Sequence, residues 1–208
     1  MTRSRTAAAL LALLLAAGSC ARYRPDPGTK IASKTLRRSG EAEAVVKVLS
    51  REQIRSALDY DIEDVRLVPV SVMIRNRGKV PLHLDYLRTR LVDGYLSYGL
   101  VPTEVAILRT QRTGFWKAQL WLRFGLIGYI YHKYQINKTN ERLRHDFKQK
   151  ALPEKPLVPN ATMYGVLFFQ IDRGAASDYD PSRYALILSF VSPGDPPVIE
   201  IRFDPEKG

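Results

Sequence analysis

VRLVPVSVMIRN, residues 65–76, is the stretch on which the fold turns. Val68, Val70, Val72 and Ile74 fall on one face, and Leu67, Pro69, Ser71, Met73 and Arg75 on the other. A period of two with one continuously β-branched face is what a half-buried strand requires. Asn76-Arg77-Gly78-Lys79 closes the strand with a turn signal.

Working outward, the same rhythm recurs in short pieces. Ala44 to Leu49 reads as a strand before the central one. Ser50-Arg51-Glu52-Gln53 then has capping-box spacing and opens a short helix to about Leu58. Asp59 to Asp64 is the most acidic patch, read as a solvated turn facing basic surface rather than a calcium loop, since the EF-hand glycine and terminal Glu are missing. After the turn, Val80 to Leu84 starts a strand, Leu87 to Leu91 continues it, and Asp93-Gly94 turns the chain toward Tyr95–Tyr98. Met163 to Ile171, Tyr184 to Val191 and Val198 to Phe203 are further strands, with a polar loop over Arg173 to Ser182. Short strands split by turns imply an antiparallel sheet, not a βαβ fold.

Composition sets the bounds. The chain has 208 residues, 45% hydrophobic and 25% charged, which is globular composition. One cysteine excludes an internal disulfide framework and a four-Cys zinc site, and three histidines leave little for a His-rich metal centre. The formal charge is +11. A basic chain favours anionic partners such as lipid headgroups.

The N-terminus names a compartment. Arg3 and Arg5 precede AAALLALLLAA, residues 7–17, which matches a secretory leader and is too short to span a bilayer. It ends in Ala17-Gly18-Ser19-Cys20, and that cysteine is the chain's only one. This resembles the bacterial lipobox, with Ala17 where Leu is usual. The resemblance implies cleavage before Cys20, a diacylglyceryl thioether on its sulfur and acylation of the new amine. Ala21 rather than Asp after the cysteine implies sorting to the outer membrane, facing the periplasm. Residues 1–19 are thus a lipoprotein signal peptide, and residues 20–39, rich in Arg and Lys, a basic tether. Without the two leader arginines, the side-chain charge is +9. Nucleic acid is not an expected partner, because the envelope holds little of it and no recognition motif is visible.

Residues 40–208 hold the folded domain. The order Val72-Met73-Ile74-Arg75-Asn76, a turn, Pro81-Leu82-His83-Leu84, Leu91-Val92-Asp93-Gly94, and later Val158-Pro159-Asn160 with Gly165-Val166-Leu167-Phe168-Phe169 resembles the telokin-like, immunoglobulin-type domain of bacterial envelope proteins. The resemblance covers about residues 44–112 and 155–203. It implies a mainly β fold, an antiparallel immunoglobulin-like β-sandwich, with a helical insertion at about residues 115–150.

That insertion breaks the β rhythm. Trp116, Trp121, Phe124, Tyr129 and Tyr131 crowd one apolar run, and Leu143 and Phe147 lie four apart among Arg142, Arg144 and Lys148, which reads as a basic amphipathic helix. The aromatic run either completes the core or docks on a membrane or partner. Catalysis finds no support: G-x-S-x-G, H-E-x-x-H and P-loop motifs are absent, and Cys20 is reserved for lipid. No cofactor and no metal are expected. The leading expectation is a non-catalytic, lipid-anchored envelope protein, a binding or assembly module acting through these aromatic and basic residues. A carrier or sensor of an apolar ligand is the alternative, and a hydrolase with an unrecognised site the third.

Overall fold

The computed structural model describes residues 35–111, 125–193 and 198–204. The chain divides into two compact units. Residues 25–110 and 147–208 belong to one, and residues 1–24 and 111–146 to the other.

The first unit is built on antiparallel β structure. Its elements are β1 (Thr35–Ser39), β2 (Ala42–Val48), helix α1 (Arg51–Leu58), a single turn α2 (Ile62–Val65), β3 (Leu67–Asn76), β4 (His83–Leu84), β5 (Arg90–Asp93), β6 (Leu96–Val101) and helix α3 (Thr103–Thr110). Helix α4 (Gly125–Lys150) follows, then β7 (Thr162–Gln170), a short helix α5 (Arg173–Ser177), β8 (Ala185–Val191) and β9 (Val198–Phe203). The last turn of α4, from Phe147, belongs to this unit.

The strands form one nine-stranded sheet, ordered β1-β2-β3-β7-β6-β5-β8-β4, with β9 on the other edge of β8. It curls. β6 pairs with β5 along its first residues and meets β7 only at Leu100↔Phe169 and Val101↔Phe168, so it hands the sheet from one half to the other. β9 then lies against β1 and β2, although no ladder joins it to either among the described residues. The architecture is therefore mainly antiparallel β with a curled open sheet.

The central strand behaves as its alternation requires. Val68, Val70, Val72 and Ile74 are buried, and their register partners Phe169 and Leu167 are buried with them. Leu186 and Leu188 of β8 are also in the core. On the opposite face of β7, Phe168 stacks on Phe147 at 5.3 Å between ring centroids. Tyr60 leans on Phe147 and donates its hydroxyl to Leu67 O at 3.0 Å. Lys150 donates to Ala57 O near the C-terminal end of α1, where a cation suits the helix dipole. The Ser50–Gln53 capping box forms in full.

Two expectations need correction. The basic tether was expected to reach residue 39, but Thr35–Ser39 is strand β1, paired with β2 from Thr35↔Val46 to Ser39↔Ala42. An edge strand with exposed Leu36, Arg37 and Arg38 buries no face, so it leaves no periodic signature, and its cations are what a free sheet edge calls for. Residues 87–89 are not strand: Asp85 Oδ1 accepts from the amides of Leu87 and Arg88 and wraps the chain into a turn before β5. Thr103–Thr110, within the stretch the resemblance covers, is a helix that the sequence reading did not place.

Gly165 permits one close crossing. Leu152 N donates to Val166 O at 3.1 Å, so the chain leaving α4 lies directly on β7. A Cβ on Gly165 would sit 2.3 Å from Leu152 Cα. Both atoms are fixed to backbone, so neither can swing away. Gly165→Ala should therefore lose about 1–3 kcal/mol, read as a Tm several degrees lower with the far-ultraviolet spectrum unchanged. An unaltered Tm would mean the crossing is not tight.

Candidate functional site

Among the described residues, a cleft of about 290 Å³ opens where the two halves of the curled sheet face each other. Ile74 of β3 and Met163 of β7 line one side, and Phe190 of β8 the other. Leu82 and Leu84 come from the β4 segment, and Leu152 and Leu157 from the chain after α4. The polar lining groups are His83, Tyr86, Glu154 and Lys155. Its apolar side chains Ile74, Leu82, Leu152, Leu157 and Phe190 are buried, while His83, Glu154 and Lys155 are exposed. Burial raises the Tyr86 hydroxyl pKa above its ordinary value, and the Glu154 carboxylate raises it further.

Asn76 ties together two segments that supply cleft residues. Its side chain is wholly buried and fully used. Nδ2 donates to Val80 O at 2.7 Å and to Leu157 O at 2.9 Å, while Oδ1 accepts from Gly78 N at 2.8 Å. Beside it, Leu82 and Leu157 exchange amide hydrogen bonds of 3.0 and 2.8 Å. The asparagine backbone N–H reaches Ala161 O at 3.0 Å. Ala161 ends the turn Val158-Pro159-Asn160-Ala161, closed by Ala161 N to Val158 O at 3.1 Å, with Asn160 at φ +59°. Pro second and a left-handed Asn third are the residues a type II turn takes. Asn76 and Gly165 each hold a segment that contributes to the cleft, Asn76 through Leu157 and Gly165 by admitting Leu152 against β7.

A second cluster is structural in its geometry. Tyr98 donates to Asp172 Oδ2 at 3.1 Å, and Tyr179 donates to Leu49 O. Tyr184 lies between their rings, 6.4 Å from Tyr98 and 5.6 Å from Tyr179. Burial, then the Asp172 carboxylate, pushes the Tyr98 hydroxyl up to about 12. Tyr179 and Tyr184 are raised further, each chiefly by burial. The acidic patch is similarly occupied. Arg55 pairs with Asp61, and Arg51 pairs with Glu63 and donates to Ala176 O and Ser177 O. The hydrogen bond from Arg55 holds the Asp61 carboxyl below its usual range. Among the described residues, no group of three or more His, Cys, Asp or Glu is arranged to hold a metal ion.

The residues singled out in the sequence fare differently. Cys20, Trp116, Trp121 and Phe124 lie outside the described residues. Tyr129 and Tyr131 fall within α4, and their side chains are outside the description. Arg142, Arg144 and Lys148 are exposed on α4, while Leu143 and Phe147 are buried. Lys148 reaches Glu104 of α3 at 2.7 Å. Sequence reading missed the cleft, because its walls come from segments up to more than a hundred residues apart and no local pattern joins them.

Comparison with protein families and with curated proteins finds no match. Among solved structures, the chain is similar to a "putative lipoprotein (ycdA)" of Bacillus subtilis, at 13% identity and a TM-score of 0.37, over 85% of this chain and 40% of that one. The chain thus spans about two fifths of that protein's length. A functionally unknown protein of Listeria monocytogenes matches at 10% identity and a TM-score of 0.38, over 83% of both chains. Likeness at this level carries no functional argument.

Two outcomes follow from the geometry. Asn76→Ala should cost at least ~2 kcal/mol, since it strands two carbonyls and an amide that are buried together. Hydrogen exchange at the Leu82 and Leu157 amides should speed up in the same variant; unchanged protection there would show that Asn76 does not hold the two segments. Separately, an unfolded tyrosine ionises near pH 10, below the raised values of Tyr98, Tyr179 and Tyr184. The contribution of these tyrosines to stability should therefore be flat below pH 10 and be lost as pH rises above it. Tyrosinate absorbance from these rings should appear together with loss of near-ultraviolet dichroism, and ionisation of all tyrosines while the fold persists would refute their burial.

Proposed function

We propose that this chain is a lipid-anchored protein of the bacterial cell envelope, a non-catalytic binding or assembly module held at the outer membrane and facing the periplasm. One observation carries the reading: the chain's only cysteine stands at Cys20, directly after small residues that end a charged-then-apolar leader. Thioether chemistry needs a sulfur at that position, and the folded domain uses none. The diacylglyceryl and amide-linked chains together supply the two anchoring signals that a single acyl chain does not.

An immunoglobulin-type sandwich is supported by Asn76 and by the Gly165–Phe169 strand, and by two sheet halves that share one apolar cleft. The binding surface on this reading is the 115–150 segment, with Trp116, Trp121, Phe124, Tyr129 and Tyr131 as aromatic anchors and Arg142, Arg144 and Lys148 as cations. Its partner is an envelope protein or anionic lipid.

A second reading has its own observation. The cleft beneath Leu82 and Leu157 is apolar, bordered by His83, Tyr86, Glu154 and Lys155, and suits a small apolar ligand. A carrier or sensor would use it.

Cys20→Ser tests the anchor. In bacteria fed a palmitate analogue, the natural chain should take up label and partition with membranes, and the Ser variant should do neither. Label retained on the variant would sink the lipoprotein reading.

A further inference from the structure

Helix α4 carries a surface whose make-up points to one partner. Ile130 is 57% exposed and Tyr134 59%. Four residues apart, they lie one above the other on one helix face. Lys133 and Lys138, both exposed, flank that pair on either side at 100° per residue, and exposed Arg142 continues the Lys138 flank one turn on. Arg144 adds a further exposed cation, against exposed Glu141. The opposite face turns inward at Thr139 and Leu143.

We propose that this face of α4, centred on Ile130 and Tyr134, rests on the surface of an anionic phospholipid bilayer. The inference rests on the lipid-anchored reading and deepens it by committing to lipid rather than an envelope protein. An apolar strip edged by lysines and arginines is the make-up of an interfacial helix, whose apolar side chains enter the headgroup boundary while its cations meet phosphate. Tyrosine suits that boundary, having an apolar ring and a hydroxyl for the wet side. Lysine stems can extend along the apolar strip with their ammonium groups in water. No helix among the described residues is long and apolar enough to cross a membrane, so the contact is superficial. Charge complementarity decides the occupant: the face is net positive, and on the lipid-anchored reading the chain is held at a membrane whose anionic headgroups it can meet.

The test uses the chain from residue 20 onward with Cys20→Ser, which keeps every described element and removes the acyl chains. It is floated with phosphatidylcholine vesicles, with and without phosphatidylglycerol. Binding should require the anionic lipid and fade as salt rises. Each basic residue at an anionic surface strengthens binding about fivefold, so Lys133→Glu with Lys138→Glu should lower the partition coefficient at least tenfold. Ile130→Ser with Tyr134→Ser should lower it severalfold. Both variants should keep the parent Tm, because the changed side chains are exposed. If both bind as the parent does, the basic residues 22–38 carry the attraction and the inference falls. No binding by the parent overturns it as well. Neither result touches the acyl-labelling test of Cys20, so the two readings fail separately.

Discussion

One buried carboxamide ties together stretches that the β-ladders leave apart. Asn76 ends β3, yet its side chain reaches forward to Val80 and Gly78 and across to Leu157, eighty-one residues on. Without it, the 77–82 turn and the 152–161 segment would meet only through the Leu82↔Leu157 bridge. The turn is also pinned from the other side: Arg77 N donates to Glu41 O at 2.7 Å, and Arg77 Nε meets the nearly buried Glu43 carboxylate at 2.6 Å. A fully satisfied buried amide fixes one arrangement, because any alternative strands polar atoms in an apolar surround. The cleft walls inherit their positions from that constraint.

The same logic explains which features were legible in the sequence. Periodicity marks an element when one face is buried and the other wet. β8 does not meet that condition, since Ala185, Leu186, Leu188, Ser189 and Phe190 are all buried, and β3 meets it only toward its end at Ile74 and Arg75; the alternation of β9 does, with Ile199, Ile201 and Phe203 buried and Glu200 and Arg202 exposed. So does the Ser50–Gln53 box, whose chemistry is complete within four residues. β1 fails it, since its first ladder is with β2 alone and Leu36 to Arg38 stay in water. The 85–89 turn misleads because Leu87 and Leu91 keep strand spacing, while Leu87 is 85% exposed and only Leu91 enters the core. Curling is invisible for a different reason. It depends on a two-residue meeting of β6 with β7, and on β8 taking β4 and β5 end to end along one edge and β9 along the other. None of that is a local property.

Charge follows a similar division. The 59–64 patch looks like a site when read as a string of carboxylates, but in the fold two of its acids are committed to arginines. Asp61 caps α2 and pairs with Arg55, and Glu63 pairs with Arg51. Arg51 in turn caps the carbonyl end of α5, so the patch fastens the 173–184 segment to the sheet instead of holding a cation. The tyrosines complete this fastening. Tyr98 on β6 grips Asp172, the N-cap of α5, and Tyr179 grips Leu49 at the end of β2. An Asp–Tyr–Asp motif in a polar loop is thereby structural, and sequence alone had no way to pair it with residues a hundred positions earlier.

On the proposed reading, anchor and helix divide the work at the membrane. The acyl chains on Cys20 set distance only. Fifteen peptide steps separate Cys20 from Thr35, a reach of at most about 50 Å, and a single point of attachment leaves orientation unset. A second contact at Ile130 and Tyr134 would remove much of that freedom. It need not be strong, because attachment through the lipid already holds the helix at high effective concentration near the surface. A few exposed apolar atoms and several cations then suffice to choose an orientation, whereas the same surface on an unanchored protein would bind only marginally. This is why the apolar strip can be as small as two side chains, and why its cations, rather than its area, would govern how the domain faces the bilayer.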